Sequence, residues 1–195
     1  MAGDVRDSLV ARDALIGFAA GALIHVVGLM SPFVTGAATG ILPMFDASPG
    51  PLMGPGHAVA ALAISCVWAV FISLVNLLLL LGLRKLLRRE WAAIAAGAVF
   101  MAAASSIATP APALDFPFSL FATAAGFILL ARVGLVAMMA TMLIASVLPM
   151  FPVTWPLTAW YSGIGLLGIA FTAALAFAAF RISTTPARAL RRAEG

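Results

Sequence analysis

The amino-acid sequence predicts an all-α fold, namely a polytopic membrane protein built as a six-helix transmembrane bundle. Composition is the first observation behind this prediction: 64% of the 195 residues are hydrophobic and only 9% are charged. Soluble domains carry about 25% charged residues. The second observation is that the basic residues follow a one-sided pattern along the chain. We therefore expect a single integral membrane domain over residues 1–195.

The Lys and Arg residues all fall on one side of the membrane when the apolar stretches are laid across a bilayer as six helices. The positive-inside rule assigns that side to the cytoplasm, and it is independent of the hydropathy that defines the stretches. Charged residues on the opposite side are only Asp46 and Asp115. We expect a bacterial inner membrane, both termini in the cytoplasm, and the topology determinants Arg12, Arg84, Lys85, Arg88, Arg89, Arg132 and Arg181.

The first span is predicted at about residues 14–30, where Ser31 and Pro32 should end the helix. A long outer loop follows at 31–57, because five prolines and five glycines there disfavour any regular element. This loop is either a plain connection or a cap that dips into the interface. The second span, at about 58–83, ends at a basic cluster that should hold that end in the cytoplasm.

The third span is predicted at about residues 91–107, starting at Trp91 as an interfacial anchor. Asp115 and Pro117 are typical of a helix start, because a carboxylate accepts bonds from free backbone N–H groups and proline needs no donor. They predict that the next span begins close to residue 118.

Residues 118–151 are almost continuously apolar, and one helix of that length would measure roughly 50 Å, too long for a single crossing. Arg132 and Gly134 mark the predicted break, which gives short spans at 118–131 and 135–151. The alternative is a re-entrant hairpin around Arg132, leaving five or fewer spans. It would bury Arg132 at a cost of roughly 3 kcal/mol or more, so six crossings are favoured.

The last span is predicted at about residues 159–180. Its outer end carries an aromatic belt of interfacial anchors, Trp155, Trp160 and Tyr161. The basic tail at 181–195 is expected in the cytoplasm, where each cation near anionic inner-leaflet headgroups contributes about 1 kcal/mol. The lipid bilayer is therefore a predicted partner of the chain.

His25 and Asn76 are the strongly polar side chains inside the predicted spans, and polar groups at membrane depth are functional candidates. Each either bonds across a helix interface or belongs to a proton or substrate pathway. Their predicted depths differ too much for a direct bond between untilted helices. Gly17 and Gly21 form a GxxxG pair, which allows close helix packing within the chain or self-association between copies.

Catalytic, cofactor and metal sites are not predicted, so the chain is not expected to be an enzyme. The sequence has no GxxxxGK[ST], HExxH or GxSxG motif, and two histidines with the single Cys66 are too few for a persuasive metal site. No acidic residue lies within a predicted span, which counts against cation-coupled transport. Nucleic acid is not an expected partner, because the cations are loop and tail residues that orient the protein.

The last third of the chain carries a more specific signal. The runs ARVGLVAMM, PLTAWYSGIGLLGIA and AFAAFRIS, with LVARDALIG before the first span, resemble the C-terminal multi-pass membrane region attached to some bacterial serine/threonine protein kinases. The resemblance covers about residues 9–30 and 129–182, while the middle matches only in hydropathy. It implies a cytoplasmic kinase domain as a partner, although this sequence contains no kinase motif. The chain is either a free-standing relative or a fragment of a longer kinase.

These observations predict a non-catalytic membrane anchor and signal-coupling module, with the outer loop 31–57 as the receiver. The alternative, from another class, is a small permease or channel-like transporter whose pathway uses His25 and Asn76 with hydroxyls such as that of Thr141. An intramembrane or lipid-modifying enzyme has the least support, because it needs reactive groups from a partner subunit.

Overall fold

Seven α-helices make up most of the chain in a computed structural model, which describes residues 8–40, 50–107, 109, 111–151 and 162–184. No strand occurs within those ranges, and a short 3-10 helix lies at Gly50–Met53. The predicted all-α fold is thus confirmed for the described residues. In chain order the helices are α1 (Ser8–Gly28), α2 (Met30–Thr39), α3 (Pro55–Leu87), α4 (Glu90–Ser106), α5 (Pro112–Arg132), α6 (Leu135–Met150) and α7 (Ser162–Thr184).

Four apolar segments in the described ranges are long enough to cross a membrane. They are Ser8–Thr39, which joins α1 and α2, and the helices Pro55–Leu87, Pro112–Arg132 and Gly163–Thr184. The other apolar helices, α4 and α6, have 17 and 16 residues, or about 25 Å at 1.5 Å per residue. This length is slightly less than the hydrocarbon thickness of about 30 Å.

The sixth helix lies at the centre of the bundle. It contacts α1, α3, α5 and α7, whereas α4 packs mainly against α5. Gly17 of α1 faces Ala137 of α6. One turn later Gly21 faces Thr141, so α1 and α6 run parallel.

Two apolar clusters mark the two ends of the bundle. The first joins the last parts of α3 and α5 to the first parts of α4 and α6. We call it the basic-end cluster, and it contains Leu80, Ala93, Ala98, Phe127, Leu130 and Met138. The second joins the beginnings of α3 and α7 to the end of α6. We call it the far-end cluster, and it contains Ala58, Leu62, Val147 and Phe151, with Ile164 and Leu167 packed against it.

This arrangement brings the described basic residues to one end of the bundle, which we call the basic end. The α3–α4 and α5–α6 connections both leave the basic-end cluster. In addition, Gly17 of α1 lies beside the first turn of α6, so the preceding start of α1 also lies at this end, and α7 runs away from its contacts with the far-end cluster. The basic residues at this end are Arg12, Arg84, Lys85, Arg88, Arg89, Arg132 and Arg181.

Most side chains on the buried face of α3 are small or polar, whereas the side chains on its exposed face are mostly large and apolar. Buried residues recur every three or four positions: Ala58, Leu62, Ser65, Ala69, Ser73, Asn76 and Leu80. On the other faces Ile64, Val67, Trp68 and Leu78 are between 54% and 70% exposed. Water-soluble proteins rarely expose a continuous apolar surface of this kind. Small buried residues instead permit the close helix packing that is usual in lipid.

The segment after the first helix differs from the prediction. Ser31 and Pro32 do not stop the helical chain, because Pro32 lies in the first turn of α2, where a missing N–H group costs little. Helix α1 ends at Gly28, and α2 carries the chain on to its C-cap Gly40, which adopts a left-handed φ of 71°. Residues 31–39 of the predicted outer loop are therefore helical, while residues 41–49 lie outside the described ranges.

The predicted helix start at Asp115 and Pro117 is also wrong. Because Pro112 supplies a preset φ at the first position, α5 begins there, with Ala111 as its N-cap. Asp115 then falls in the first turn, and Pro117 lies inside the helix.

The long apolar stretch breaks where Arg132 and Gly134 predict. Helix α5 ends at Arg132, and α6 begins at Leu135 after Gly134, whose φ of 125° is rarely adopted by L-residues. Pro149 lies inside the last turn of α6, which ends at Met150.

Of the aromatic residues predicted at the membrane interfaces, the structure describes Trp91. This side chain lies in the first turn of α4 at the basic end and is 68% exposed. The predicted outer belt of Trp155, Trp160 and Tyr161 lies outside the described ranges, as do residues 185–195 of the basic tail.

Candidate functional site

Four buried polar side chains lie within about one helical turn of the same depth in the bundle, and we call them the polar layer: Ser73 and Asn76 of α3, Ser106 of α4 and Thr141 of α6. None of them is more than 6% exposed. Polar groups at membrane depth are costly and are therefore functional candidates. Of the two intramembrane residues predicted from the sequence, Asn76 belongs to this layer.

The contacts between α3 and α6 fix the depth of two members. Leu80 and Met138 share the basic-end cluster. Asn76 precedes Leu80 by about one helical turn, and Thr141 follows Met138 by about one turn. Because α3 and α6 run in opposite directions, both steps lead toward the far end, and Asn76 and Thr141 lie within about one helical turn of the same depth.

Ser106 reaches the same depth from α4. A Cβ atom on Gly97 would lie 3.3 Å from the Cδ1 atom of Leu83, so these two positions are level. From them Ser106 lies about 13 Å along α4, and Ser73 about 15 Å along the antiparallel α3. The four polar side chains therefore form one layer across three helices.

Hydrogen bonding within the polar layer is incomplete. The Thr141 hydroxyl lies 3.0 Å from the Gly17 carbonyl oxygen and 2.9 Å from that of Ala137. The other members differ, because Ser73 Oγ, Asn76 Oδ1 and Ser106 Oγ have no hydrogen-bond partner among the described residues. A buried polar atom left unpaired costs about 1–3 kcal/mol. Nε of Arg84, at the basic end, is a fourth such atom among the described residues.

The predicted GxxxG pair packs α1 against α6. A Cβ added to Gly17 would clash with the carbonyl oxygen of Ala137, and one added to Gly21 would lie 2.9 Å from Cβ of Ile144. The same close approach brings the Gly17 carbonyl within reach of the Thr141 hydroxyl. This surface, predicted to serve internal packing or self-association, is covered by the chain's own α6.

The structure does not bring His25 to Asn76. Helices α1 and α3 have no extensive contact, because α6 packs against both. Gly21 is level with Thr141, so His25 lies one further turn, about 6 Å, toward the far end. Its side chain is half-buried, and no described hydrogen bond joins it to Asn76.

A second polar contact joins the outer segment to the bundle. The Ser31 hydroxyl of α2 donates a hydrogen bond to the carboxylate of Asp115 in the first turn of α5. Both side chains are half-buried. Sequence reasoning missed this contact, because it interpreted Ser31 as a helix stop and Asp115 as a cap, and both interpretations concern a single helix.

Sequence reasoning also missed Ser73 and Ser106. A signal for Ser73 was present, because it precedes Asn76 by three residues and so shares its helix face. Ser106 had no such signal: it is the second of two adjacent serines near the predicted end of a span. Only the pairing of α3 with α4 shows that it is level with Ser73.

The basic end presents cations to its surroundings. Nη2 of Arg84 lies 2.7 Å from Oε1 of Glu90, but the side chains are 36% and 52% exposed, and such pairs contribute about 0–1 kcal/mol. The Arg181 guanidinium lies 5.6 Å from the centre of the Phe177 ring. Further exposed cations at this end are Lys85, Arg88, Arg89 and Arg132.

The chemistry of the polar layer is that of neutral groups. Its hydroxyls and its amide do not titrate near neutral pH, so they offer no general acid or base. Cys66 is partly buried on α3. Nowhere in the described ranges do three His, Cys, Asp or Glu side chains come together as a metal site.

No known protein-family model, curated protein or solved structure matches this chain. The resemblance to kinase-associated membrane regions therefore stays a prediction from the residues that carry it. The helices themselves define a coarser class, an all-helical apolar chain with the character of a membrane-embedded bundle.

Proposed function

We propose that the chain is a six-crossing protein of the bacterial inner membrane, with both termini in the cytoplasm, that serves as a non-catalytic membrane anchor and signal-coupling module. The observation that carries this proposal is the gathering of the described cations at one end of a bundle whose exterior is apolar. The positive-inside rule assigns that end to the cytoplasm.

Arg132 supports two crossings by α5 and α6. It is exposed and shares the basic end with the cations of the α3–α4 connection. A re-entrant α5–α6 turn would hold this charge inside the lipid, which costs roughly 3 kcal/mol or more. Helices of about 25 Å can cross with modest local thinning of the bilayer instead.

The contacts of α1 supply a physical route for coupling. This helix begins at the basic end and is fixed to α6 through Gly17 and Gly21. At its other end it continues into α2, which is bonded to α5 through Ser31 and Asp115. A partner that moved the outer segment would therefore act on both α1 and α5.

The two stretches that resemble kinase-associated membrane regions also pack together. Residues 9–30 correspond largely to α1, and residues 129–182 contain α6 and most of α7. Both of these helices contact α1. The packing of α1 against α6 and α7 supports a role in which α1 holds a kinase domain on the cytoplasmic side. A conformational signal from the outer segment would then reach the kinase domain through α1.

Anchoring is tested by fusing a soluble reporter domain to the N-terminus. We expect the fusion to sediment with membranes, to resist alkaline carbonate extraction and to be shielded from protease added to spheroplasts. The matched control is the reporter alone. Release of the fusion by carbonate, or its digestion in intact spheroplasts, contradicts the proposal.

Coupling is tested by cutting the contact between α2 and α5 with Ser31→Ala. Spin labels at Val10→Cys and Val136→Cys, in a Cys66→Ala background, report the distance between the basic-end turns of α1 and α6. We expect Ser31→Ala to broaden that distance distribution. Ser146→Ala is the control, because its hydroxyl bonds only to the Met142 carbonyl of its own helix. Equal distributions in both variants would remove the coupling route.

A small permease is the second candidate function, favoured by the unpartnered oxygens of Ser73, Asn76 and Ser106. Flux of small polar solutes into proteoliposomes, lost on Asn76→Leu or His25→Ala and kept in Ser65→Ala, would support it. Wild-type flux equal to that of protein-free liposomes would exclude it for the solutes tried.

A further inference from the structure

The turn between α3 and α4 concentrates positive charge. Four cations lie within six residues of the chain there. Arg84 is paired with Glu90. The other three, Lys85, Arg88 and Arg89, are exposed, and none of them pairs with a carboxylate among the described residues. We call these three residues the turn cations. Because their charge is not compensated within the described chain, they attract anions to this part of the surface.

Large apolar side chains stand among the turn cations. Leu86, which follows Lys85, is 78% exposed, and Trp91 in the first turn of α4 is 68% exposed. Water would leave these apolar groups hydrated, whereas hydrocarbon would strip the cations of their hydration. The headgroup region of a bilayer accommodates both kinds of side chain, and tryptophan is enriched there.

The turn also lies at the depth of a membrane surface. A Cβ atom on Gly97 would lie 3.3 Å from Cδ1 of Leu83 and 3.0 Å from Cζ of Phe127, so α3, α4 and α5 converge at this point. Arg88 and Arg132 each follow by five residues, about 7.5 Å toward the basic end. Helix α5 has 21 residues and ends at Arg132, and its length of about 30 Å equals the hydrocarbon thickness. Arg88 therefore lies near the level at which hydrocarbon gives way to headgroups.

The backbone of Arg88 supports a role for its side chain. Arg88 is the C-cap of α3 and adopts a left-handed φ of 55°, a conformation that glycine adopts with less strain. Residues held in such sparsely populated conformations cluster at functional sites, including ligand sites. The turn thus holds a cation at a position where folding stability favours glycine.

Phosphate is the anion that these side chains fit best. A guanidinium presents its N–H groups as a planar fork that matches phosphate oxygens, and the Lys85 ammonium adds a point charge. In phosphatidylcholine the choline ammonium balances the phosphate, whereas phosphatidylglycerol keeps a net negative charge. At the depth of the headgroups, beside the exposed Leu86 and Trp91, an anionic phospholipid satisfies both the charge and the apolar surface.

We propose that the turn cations bind the phosphate group of an anionic phospholipid at the basic end of the bundle. Arg88 and Arg89 contact the headgroup, while Leu86 and Trp91 contact the upper part of the acyl chains. The site requires neither a kinase partner nor a particular orientation of the chain, so it is independent of the proposed anchoring and coupling role.

The test compares two lipids at Trp91. The full chain, with Trp68, Trp155 and Trp160 replaced by phenylalanine, is reconstituted into phosphatidylcholine bilayers that contain brominated phosphatidylglycerol or brominated phosphatidylcholine. Bromine quenches nearby tryptophan, so the quenching gives the relative binding constant of the two lipids beside the turn. We expect phosphatidylglycerol to be favoured by at least about threefold. Equal quenching by the two lipids overturns the proposal.

A second measurement uses the unmodified chain. Native mass spectrometry of the protein released from mixed micelles should show phosphatidylglycerol retained in preference to phosphatidylcholine. Equal retention of the two lipids contradicts the proposal, whether or not the single-tryptophan protein folds.

Paired variants locate the site. Arg88→Gln with Arg89→Gln should lower the preference at Trp91 to about one, because two of the three turn cations are lost. Arg12→Gln with Arg181→Gln is the matched control: it removes two exposed cations from the same end, on α1 and α7, which do not pack extensively against α4. We expect the control to keep the preference. An unchanged preference in the first variant, or an equal loss in both, contradicts a site at this turn.

Two further arms distinguish the source of the anion. Inorganic phosphate that abolishes the preference, where chloride at equal ionic strength does not, identifies a site for a free anion and overturns the proposal. Binding of a polyglutamate peptide, together with equal quenching by the two lipids, assigns the turn to an acidic protein segment and overturns it as well. Sodium chloride should weaken the preference gradually, because salt screens exposed charges.

Discussion

The hydroxyl of Thr141 donates a hydrogen bond to the main-chain carbonyl of Gly17 at 3.0 Å, across 124 residues of sequence. The carbonyl of Ala137 lies 2.9 Å from the same hydroxyl, so its single hydrogen is shared between α1 and its own helix. Such a bond requires two helix backbones in near contact, which only a residue without a side chain at position 17 allows. The pair therefore fixes the N-terminal helix onto the centre of the bundle.

Gly17→Ala should destabilise the protein. The new Cβ atom would meet the Ala137 carbonyl and lie 2.8 Å from Cβ of Ala140, so α1 must move away. We expect the free energy of unfolding, measured by SDS titration in mixed micelles, to fall by about 1–3 kcal/mol. Gly28→Ala on the same helix is the control, because nothing lies within 4 Å of its Cβ position. A change of equal size in both variants would contradict close α1–α6 packing.

Thr141→Val should remove the bond to Gly17 while nearly preserving side-chain volume. Side-chain hydrogen bonds between membrane helices contribute about 0.6 kcal/mol on average, and we expect a loss of that order in the same unfolding assay. Thr141→Ser keeps the hydroxyl, so it should retain most of the bond energy and lose only a buried methyl group. Infrared spectra of the Gly17 carbonyl, labelled with carbon-13, should shift in the Val variant but not in the Ser variant. An identical carbonyl frequency in all three proteins would disprove the bond.

Gly134→Ala isolates the backbone conformation of the α5–α6 turn. No atom lies within 4 Å of the added Cβ, so the cost comes from the φ of 125°. We expect a loss of about 1 kcal/mol or more in the free energy of unfolding. Gly82→Ala, inside α3 and equally free of contacts, should be neutral or stabilising because alanine favours the helix. Stabilisation of the protein by both substitutions would contradict the left-handed backbone conformation at Gly134.

Arg88→Gly should stabilise the protein, whereas Arg89→Gly should not. Arg88 adopts a left-handed φ of 55°, whereas Arg89 is extended with a φ of −133°. Each variant loses one cation, but only the first relieves a conformation that costs an L-residue about 1–2 kcal/mol. We expect Arg88→Gly to raise the melting temperature in detergent and Arg89→Gly to leave it unchanged or lower it. Matching shifts in the two variants would show that charge, not conformation, dominates at this turn.

The sequence predicts some features of this fold well because they are properties of single segments. Composition requires apolar helices, and Arg132 with Gly134 marks a break because a cation and a flexible residue interrupt an otherwise uniform stretch. Proline misled the prediction twice. Pro32 lies in the first turn of α2, where proline does not end a helix, and Pro117 lies inside α5, which already starts at Pro112.

The polar contacts could not be predicted, since they depend on which helices pair and in what register. Ser31 meets Asp115 across 84 residues, and Ser106 is level with Ser73 only because α4 is antiparallel to α3. The GxxxG pair shows the same limit. Gly17 and Gly21 predict close packing, but the partner helix follows from the fold alone.

Accessibility of single cysteines to a membrane-impermeant maleimide tests the central claim most directly, that an even number of crossings holds the cations at the cytoplasmic surface. In a Cys66→Ala background, cysteines replace Leu86 and Val136, near the two basic connections, and Met53, which is 71% exposed before α3. We predict labelling of positions 86 and 136 only in inside-out vesicles and of position 53 only in spheroplasts. Labelling of positions 86 and 136 from opposite sides, or of position 53 from the cytoplasmic side, would contradict the account.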